Sequence, residues 1–479
     1  MKKWPFYGRK KQISKLQNGL DFSNPKSNRL FQALRVRGPR GVGKTKLLIQ
    51  MKEYAPSNTP LVIYELSTPG SNGTSVTATL QGLIVAANEA GLTNVKTVPE
   101  YQEWPNDYLR FKAYVRGLLQ IGAVVVLDKF HLARDWGLDS YIKQVIDESV
   151  RSRENTPGKL VLMGSHQQKI DDMFQSDQPL FGRLDNTIVL RPWGLKTVLA
   201  MAAEQGILAS PGKFLTLWTA YDGMPRNWER YFRGDSFTHL HDITDEEEWR
   251  VSFLETEGTL LVDDPRERWD AKTWIQLANE ERELMLWIGS RSPHTGAEIG
   301  EMPEYLRTSP TRDQSLRKLV ERLDLLAPTL PFLETGKYRW KMTDNNTLFQ
   351  THVFPEVVRP SLSPKGLAKQ VKDSFRDRNI LASDILVHRL KTLEGQALEQ
   401  LAAAWLAEQK GVTWTRTNLR RSGLKGDIDV FATTKDDPNP KVWLGSAKRN
   451  GNKHDPAEVK KYQDHFIKDL GTSIASLLK

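Results

Sequence analysis

The chain has 479 residues, of which 39% are hydrophobic and 26% are charged, and it contains no cysteine. That length exceeds one ordinary hydrophobic core, so we expect two or three domains. The lack of cysteine excludes disulfides, thiolate catalysis and cysteine-based zinc sites. The apolar runs are too short to cross a bilayer, and no apolar stretch follows the basic first residues. We therefore expect a cytoplasmic protein with no secretory signal and no membrane contact.

Positive charge is in excess: 68 lysines and arginines face 58 acidic residues, giving a formal net charge of +10. An excess of this sign favours a polyanionic partner, and nucleic acid is the first candidate. The alternative is a solvated basic surface without a specific partner.

The first chemical motif is GPRGVGKT, which fits the phosphate-binding pattern G-x-x-x-x-G-K-[ST] without a gap. A predicted strand at 33–37 precedes it and a helix-like stretch follows, as this motif requires. We expect the loop amides to bind the phosphates of ATP, Lys44 to reach the β- and γ-phosphates, and Thr45 to bind Mg²⁺. The predicted ATP-binding residues of the loop are Gly38, Pro39, Arg40, Gly41, Val42, Gly43, Lys44 and Thr45.

Further strands are predicted at 61–66 and 123–128, and the second of these ends in Asp128, a candidate Mg²⁺ ligand through water. The next residue in such sites is usually glutamate, but here it is Lys129, whose ammonium group cannot accept a proton from water. Two outcomes stay open. Hydrolysis is slow and the domain is a nucleotide-held switch, or a carboxylate from another strand substitutes. Glu65 is the candidate, because it ends the strand at 61–66 and the strand ends meet at one edge of a parallel sheet.

Four stretches share a pattern: FYGRKKQISKL at 6–16, the phosphate loop with VVVLD, the segment 160–183, and YDGMPRNWERY at 221–231. Together they resemble the archaeal-ATPase-type P-loop NTPases, which are close to the STAND and AAA+ ATPases. The resemblance covers roughly the first 235 residues. It implies that the opening lies near the nucleotide base and that 221–231 belongs to a helical lid. It also implies that Ser165 or His166 senses the γ-phosphate and that Arg183 faces phosphate, in its own site or a neighbour's.

The middle segment, 250–358, is predicted to hold helices at 281–290 and 295–302 and a third helix beginning near 310. GKYRWKM at 336–342 then alternates basic and apolar residues, as a strand does. Three helices and a basic hairpin predict a winged helix-turn-helix, with the third helix in the major groove and the wing on phosphate. A rigid connector between domains is the alternative. The candidate DNA-binding residues are Arg312, Arg317, Lys318, Lys337, Arg339 and Lys341.

A polar linker is predicted at 359–390, and 391–479 begins with an amphipathic helix at 394–411 that carries Glu399. Asp427 and Asp429 follow on one strand and Lys448 on the next. This arrangement resembles the PD-(D/E)xK nuclease core, which implies that the carboxylates bind Mg²⁺ and that the lysine helps to position water. Ser446 stands where that core usually has an acid, so we expect inactive or weak cleavage. Without nuclease chemistry, Asp429 and Lys448 would form a salt bridge between adjacent strands.

The sequence thus predicts an α/β chain. Residues 1–235 form a P-loop NTPase with a parallel sheet and helical lid, 250–358 a winged helix, and 391–479 a small α/β restriction-endonuclease-like domain. We expect an ATPase or ATP-dependent switch that uses Mg²⁺ and acts with DNA, in prokaryotic genome defence or mobile-element biology. Two alternatives remain: an ATP-gated metal-dependent DNA nuclease, and a non-hydrolysing ATP-bound regulator that recruits a protein partner. Self-assembly into a homo-oligomer stays open.

Overall fold

The structure is a computed structural model. The residues it describes are 5–20, 31–39, 41–51, 53, 59–66, 76–92, 106–152, 156–164, 167–184, 186–233, 240–258, 277–291, 297–322, 325–329, 339–343, 345–353, 380–409, 411–412, 414–420, 427–434 and 442–445. The chain divides into two compact units, of which the first holds residues 1–193, 224–229 and 268–270 and the second holds the rest. The helical stretch 194–223 belongs to the second unit. Among the described residues, no helix has the length and apolar character needed to cross a membrane.

The first unit is built on a five-stranded sheet in the order β2-β3-β4-β1-β5, with every neighbouring pair parallel. The strands are β1 (Gln32–Arg37), β2 (Leu61–Glu65), β3 (Val124–Asp128), β4 (Lys159–Gly164) and β5 (Asn186–Val189). Strands β1, β2 and β3 begin and end within one residue of the predicted positions 33–37, 61–66 and 123–128. All residues of β3 and β4 are buried, as expected of inner strands that helices cover on both faces.

Helices cover both faces of this sheet: α1 (Lys10–Leu20), α2 (Lys44–Met51), α3 (Val76–Glu89), α4 (Asp107–Gln120), α5 (Leu138–Arg151) and α6 (Gln167–Asp172). Alternate residues of each strand point to opposite faces, so the sheet separates two apolar clusters. Val125 and Leu127 pack in one cluster with residues of α3, α4 and α5. Val124 and Val126 pack in the other with residues of α1 and α2. This layered core fixes the strand ends from which the functional loops leave.

The second unit opens with the helices α7 (Leu195–Glu204) and α8 (Pro211–Tyr221). Helix α9 (Pro225–Arg233) comes next in the chain, and its first turn belongs to the first unit. Helix α10 (Glu246–Phe253) follows in the second unit. Aromatic rings close the packing of these helices. Trp249 stacks on Phe253 with centroids 5.3 Å apart, and Phe253 meets Tyr221 at 6.0 Å and Phe349 at 6.5 Å.

The middle segment of the second unit contains α11 (Asn279–Arg291), β6 (Ala297–Glu298), α12 (Glu304–Arg307), α13 (Arg312–Arg317), β7 (Leu326–Thr329), β8 (Arg339–Met342) and α14 (Asn345–Val353). The strands form an antiparallel sheet in the order β6-β8-β7. The helix predicted at 295–302 is wrong, because Ala297 pairs with Trp340 in this sheet and a short 3₁₀ turn follows. Gly296 and Gly300 disfavour a helix there.

The C-terminal part holds α15 (Ile380–Ala407), β9 (Trp414–Arg420), β10 (Asp427–Thr433) and β11 (Val442–Gly445), with the antiparallel strand order β11-β10-β9. Helix α15 begins inside the stretch predicted as a linker, because Val387, Leu390 and Leu393 give that stretch a buried face at helical spacing. One face of this helix packs on α8 and α14, and it also packs on β9 and β10.

Candidate nucleotide site

The loop between β1 and α2 turns through two left-handed glycines, Gly41 at φ 80° and Gly43 at φ 91°. A Cβ on Gly41 would also lie 3.1 Å from the Cβ of Arg226, so backbone strain and lack of space both select glycine there. Helix α2 starts at Lys44, and the first amides of a helix have no acceptor within the helix itself. Such amides favour an anion at the helix start. Arg40 lies outside the described residues.

Lys44 lies inside this turn and is 7% exposed. Its Nζ donates to the carbonyl oxygens of Gly38 and Pro39, each at 2.9 Å. The loop therefore encloses the Lys44 ammonium group. An ammonium group held at the centre of an amide-rich turn is suited to binding phosphate oxygens.

Thr45 and Asp128 meet across the sheet edge, where the threonine Oγ1 donates to the Asp128 Oδ2 at 3.2 Å. The Lys129 amide donates to the other carboxylate oxygen at 2.6 Å. Burial raises the pKa of Asp128, and the nearby negative charge of Glu65 adds to this. The Lys129 amide, the Lys44 charge and the Thr45 hydroxyl oppose the rise. A hydroxyl beside a desolvated carboxylate is a suitable pair of ligands for a hard divalent cation such as Mg²⁺.

Glu65 and Asp128 are partners in the register of β2 and β3, so both carboxylates lie at the same sheet edge. The residue after Asp128, Lys129, has a left-handed backbone with φ 53° and ψ 33°. Its Nζ forms an ion pair with the Glu65 carboxylate. Lys129 stands where such sites usually have a glutamate. It is therefore paired with Glu65, the carboxylate that was the candidate to replace that glutamate.

These groups line one cleft of about 350 Å³. Among the described residues, five basic and three acidic side chains line it, so its lining carries a net positive charge. Several residues of this lining were not singled out in the sequence, although Phe6, Tyr7 and Arg9 belong to the opening at 6–16 that the resemblance places near the nucleotide base. They are Pro5, Phe6, Tyr7, Arg9, Lys46, Trp193, Pro225, Arg226 and Glu229.

An aromatic wall forms one part of the cleft, where Tyr7 and Trp193 meet edge to face with centroids 5.9 Å apart. Arg9 ties this wall to the loop by donating to the Val42 carbonyl at 3.0 Å and to the Arg191 carbonyl at 2.6 Å. Burial lowers the pKa of Arg9 to about 10. The stretch FYGR was the available signal, but the residue contacts were not readable from it.

The segment 224–229 borders the phosphate loop directly. The Arg226 amide donates to the Gly41 carbonyl at 3.3 Å. Glu229 forms an ion pair with Lys46, two residues after the motif lysine. The G-x-P pattern at 223–225 marked this segment in the sequence, but it did not mark Arg226 or Glu229 as cleft residues.

Arg183 is not brought to this cleft. It forms an ion pair with Asp147 at 2.6 Å and donates to the Phe181 carbonyl at 3.2 Å. It lines a separate surface depression with residues of α5. Ser165 and His166 lie outside the described residues.

Lys318 and Arg312, two of the predicted DNA-binding residues, form ion pairs within the second unit. Lys318 Nζ lies 2.8 Å from both carboxylate oxygens of Glu281, and Arg312 pairs with its neighbour Asp313. Arg317 and Lys341 are exposed, and the alternation of β8 holds, since Met342 is buried. The side chain of Arg339 is not described, and Lys337 lies outside the described residues.

The predicted nuclease-like residues are only partly described. Glu399 on α15 is buried and Asp429 on β10 is half-buried. Asp427 begins β10 but its side chain is not described, and Lys448 and Ser446 lie outside the described residues. Sequence reasoning missed Glu394, which is fully buried on the same helix and accepts from Arg250 Nε at 3.0 Å.

No protein-family model and no curated protein matches the chain. Three solved structures illustrate its structural similarity. The Walker-type ATPase of Pyrococcus abyssi is 14% identical over 74% of this chain and 96% of that one, with a TM-score of 0.47. The ORC2 protein of Aeropyrum pernix, in ADPNP–ADP complexes, is 12% identical over 78% and 95%, at 0.47. The ORC1 protein of Aeropyrum pernix, in complex with DNA, is 10% identical over 76% and 95%, at 0.35.

These likenesses are too distant to carry an argument. The fold of the first unit follows instead from its own parallel sheet, the glycine loop between β1 and α2, and Asp128 at the end of β3. The first unit has a P-loop NTPase fold.

Proposed function

We propose that the protein is an ATP-binding P-loop ATPase or switch that acts with DNA. One observation carries the proposal: Lys44, Thr45 and Asp128 converge at the glycine loop within one positively lined cleft. The loop amides and Lys44 would hold the triphosphate, and Thr45 and Asp128 would hold Mg²⁺. When bound, the ion neutralises charge on the β- and γ-phosphate oxygens.

The remaining cleft residues fit the rest of a nucleoside triphosphate. Tyr7 and Trp193 present apolar ring surface on which a base can stack. Arg9 and Arg226 supply further positive charge. Ser165, and Arg183 from a neighbouring copy in a homo-oligomer, stay proposed nucleotide contacts on the family resemblance alone.

The cleft favours holding ATP over rapid turnover. Lys129 occupies the usual position of the water-polarising acid, and Glu65, the candidate substitute, is paired with that same lysine. That pair is the state of the nucleotide-free protein, so the barrier to turnover rests on Lys129, whose ammonium group cannot accept a proton from water. The nucleotide state would then set the position of the helical lid, and the site would act as a conformational switch.

DNA is the proposed partner of the second unit. The net charge of +10 supports a polyanionic partner. The order α11, α12, α13 and the β7–β8 hairpin supports a winged helix at 250–358, with Arg317 and Lys341 exposed for contact. The rigid-connector alternative predicts that charge removal at these residues leaves DNA binding unchanged.

An ATP-gated nuclease is the second candidate, for a chain that acts in genome defence or mobile-element biology. Helix α15 followed by the antiparallel strands β9, β10 and β11, with Glu399 and Asp429 on them, supports a nuclease-like domain at 391–479. This candidate predicts metal-dependent nicking of duplex DNA that disappears in Asp429→Ala and in Lys448→Ala. Nicking that persists in both variants, or none in the wild type, removes it.

The test of the primary proposal is calorimetry with Mg²⁺ and ATP on the wild type and on Lys44→Ala. We expect saturable heat from the wild type and an affinity about a hundredfold lower in the variant, because a buried charge-assisted contact is lost. No heat from the wild type with adenine or guanine nucleotides overturns the proposal.

Phosphate release, measured with and without duplex DNA, then separates an ATPase from a regulator that recruits a protein partner. Release that rises well above the wild-type rate in Lys129→Glu supports the held-switch form. Saturable binding with no release, even with DNA, supports the non-hydrolysing regulator.

A further inference from the structure

The ion pair between Lys129 and Glu65 is built so that only side chains move. The Lys129 backbone is held by two hydrogen bonds: its amide donates to Asp128 Oδ1 at 2.6 Å, and its carbonyl accepts from the Leu132 amide at 2.9 Å. Its side chain is 45% exposed and that of Glu65 is 58% exposed. An ion pair this open to water is weak, so a stronger anion can replace the glutamate without a change in the backbone.

The position of the pair determines which anion competes. Lys129 and Glu65 line the same cleft as Lys44 and Thr45. Glu65 is the register partner of Asp128, whose carboxylate accepts from Thr45. The pair therefore lies at the end of the cleft that holds the proposed metal ligands. A terminal phosphate next to those ligands offers several anionic oxygens, where Glu65 offers one carboxylate.

Lys46 also lines the cleft and also lies outside the motif GPRGVGKT, but its ion-pair partner differs from that of Lys129. Lys46 follows Thr45 on α2 and pairs with Glu229, which belongs to the segment 224–229 and not to the sheet edge. Its charge acts on any phosphate in the cleft, whatever the length of the phosphate chain. Lys46 is therefore a matched control for the loss of one positive charge.

We propose that Lys129 distinguishes nucleoside triphosphate from diphosphate by exchanging Glu65 for the terminal phosphate. This inference rests on the proposed nucleotide-binding function. In the diphosphate and nucleotide-free states Lys129 stays on Glu65. In the triphosphate state Lys129 binds phosphate, and Glu65 becomes an unpaired carboxylate at the sheet edge. The replacement of an acid by Lys129 then serves recognition of the triphosphate, independent of the rate of hydrolysis.

The test compares the affinities of ADP and of an ATP analogue with a non-hydrolysable β–γ bridge, by calorimetry with Mg²⁺ on the full chain. We expect Lys129→Met to weaken the analogue about tenfold and ADP little, because only the analogue loses a charge-assisted contact. Lys129→Arg should restore the preference. Glu65→Gln should tighten the analogue several-fold without changing ADP, because the competing carboxylate is gone.

Lys46→Met is the control and should weaken both nucleotides by similar factors. Equal weakening of both nucleotides by Lys129→Met, or an unchanged analogue affinity in Glu65→Gln, overturns the exchange. Those results leave nucleotide binding itself intact. Failure of the underlying proposal gives a different result, namely no saturable heat from either nucleotide in the wild type. Circular dichroism of each variant checks that the fold is retained.

Discussion

The two units each contain a carboxylate paired with a cation, in opposite surroundings. In the first unit, Lys129 and Glu65 are 45% and 58% exposed and lie in a cleft. In the second, the Arg250 and Glu394 side chains are 3% and 0% exposed and are enclosed by helices. The same kind of ion pair therefore has a different role in each unit. An exposed pair is weak and can be exchanged for a ligand, whereas a buried pair must stay intact because either charge alone is strongly disfavoured.

The buried pair is part of a small network that joins three helices of the second unit. Glu394 on α15 accepts from Thr216 on α8 and from Arg250 on α10. Arg250 Nη2 also donates to Glu246 Oε2 at 2.9 Å. Burial raises the pKa of Glu394, and the Arg250 charge and the Thr216 hydroxyl oppose the rise. The network therefore connects the helix before the C-terminal strands to α8 and α10.

The largest expected effect comes from breaking this buried pair. Glu394→Ala should destabilise the second unit by about 3–5 kcal/mol, because it leaves the Arg250 charge enclosed without its main partner. Hydrogen exchange in α8, α10 and α15 measures the loss locally, which avoids treating the two units as one transition. The double variant Arg250→Met, Glu394→Leu is the control and should recover most of the stability. An effect of Glu394→Ala below about 1 kcal/mol would show that the pair is not structural.

The next effect concerns the loop in the first unit. Gly41→Ala should weaken ATP binding by about 1–3 kcal/mol, because alanine is strained at φ 80° and its Cβ meets Arg226. Gly43→Ala has similar backbone strain but open space around its Cβ, so its loss should be smaller. Gly206→Ala, at φ 78° in the second unit, is the control for strain and should leave nucleotide affinity unchanged. Calorimetry ranks the three variants, and equal affinities in all of them would contradict the role of the loop.

A smaller effect separates exposed from paired cations on the proposed DNA surface. Arg317 is exposed, so Arg317→Ala should reduce the salt dependence of DNA binding by about one counterion. Lys318 already contacts both oxygens of Glu281, so Lys318→Ala should reduce it less. Fluorescence anisotropy with a labelled duplex over a series of salt concentrations gives both slopes. A larger reduction of the salt dependence in Lys318→Ala than in Arg317→Ala would contradict the proposed contact surface.

The smallest expected effect is a pH dependence at Asp128, where burial raises the pKa. Because Mg²⁺ needs the ionised carboxylate, the Mg²⁺-dependent part of ATP affinity should fall on acidification at a higher pH than an ordinary aspartate predicts. In the nucleotide-free protein, by contrast, acidification increases the stability that Asp128 contributes to the fold. The stabilisation from protonated Asp128 is complete below its ordinary pKa of 3.8 and is lost as the pH rises through the raised pKa.

Asp128→Asn therefore removes both dependences: it should stabilise the nucleotide-free protein slightly at neutral pH and weaken Mg²⁺–ATP binding. Thermal unfolding of the nucleotide-free variant and calorimetry over a pH series measure the two effects. An affinity that shows the same pH dependence in the variant and the wild type would contradict a metal role for Asp128.

The sequence by itself determined the features that local pattern encodes. The strand ends around the phosphate loop and Asp128 were readable because an apolar run followed by glycine or aspartate marks the carboxyl edge of a buried parallel strand. The helix predicted at 295–302 failed because the apolar spacing there does not reveal that Ala297 pairs with Trp340. The start of α15 was missed because PSLSPKG reads as a linker, and the burial of Val387 and Leu390 shows that the helix extends into the predicted linker at 359–390.

Tertiary structure alone decided which charges meet. Glu65 and Lys129 are brought together by the register of β2 and β3, and Glu394 meets Arg250 across 144 residues of chain. Arg226 reaches the loop at Gly41, whereas Arg183 pairs with Asp147 outside the cleft. No local pattern contains these partners, because a side chain's propensity depends on its neighbours in sequence while its charge interacts with its neighbours in space. Strand positions were therefore predictable from the chain, and the pairing of its cations was not.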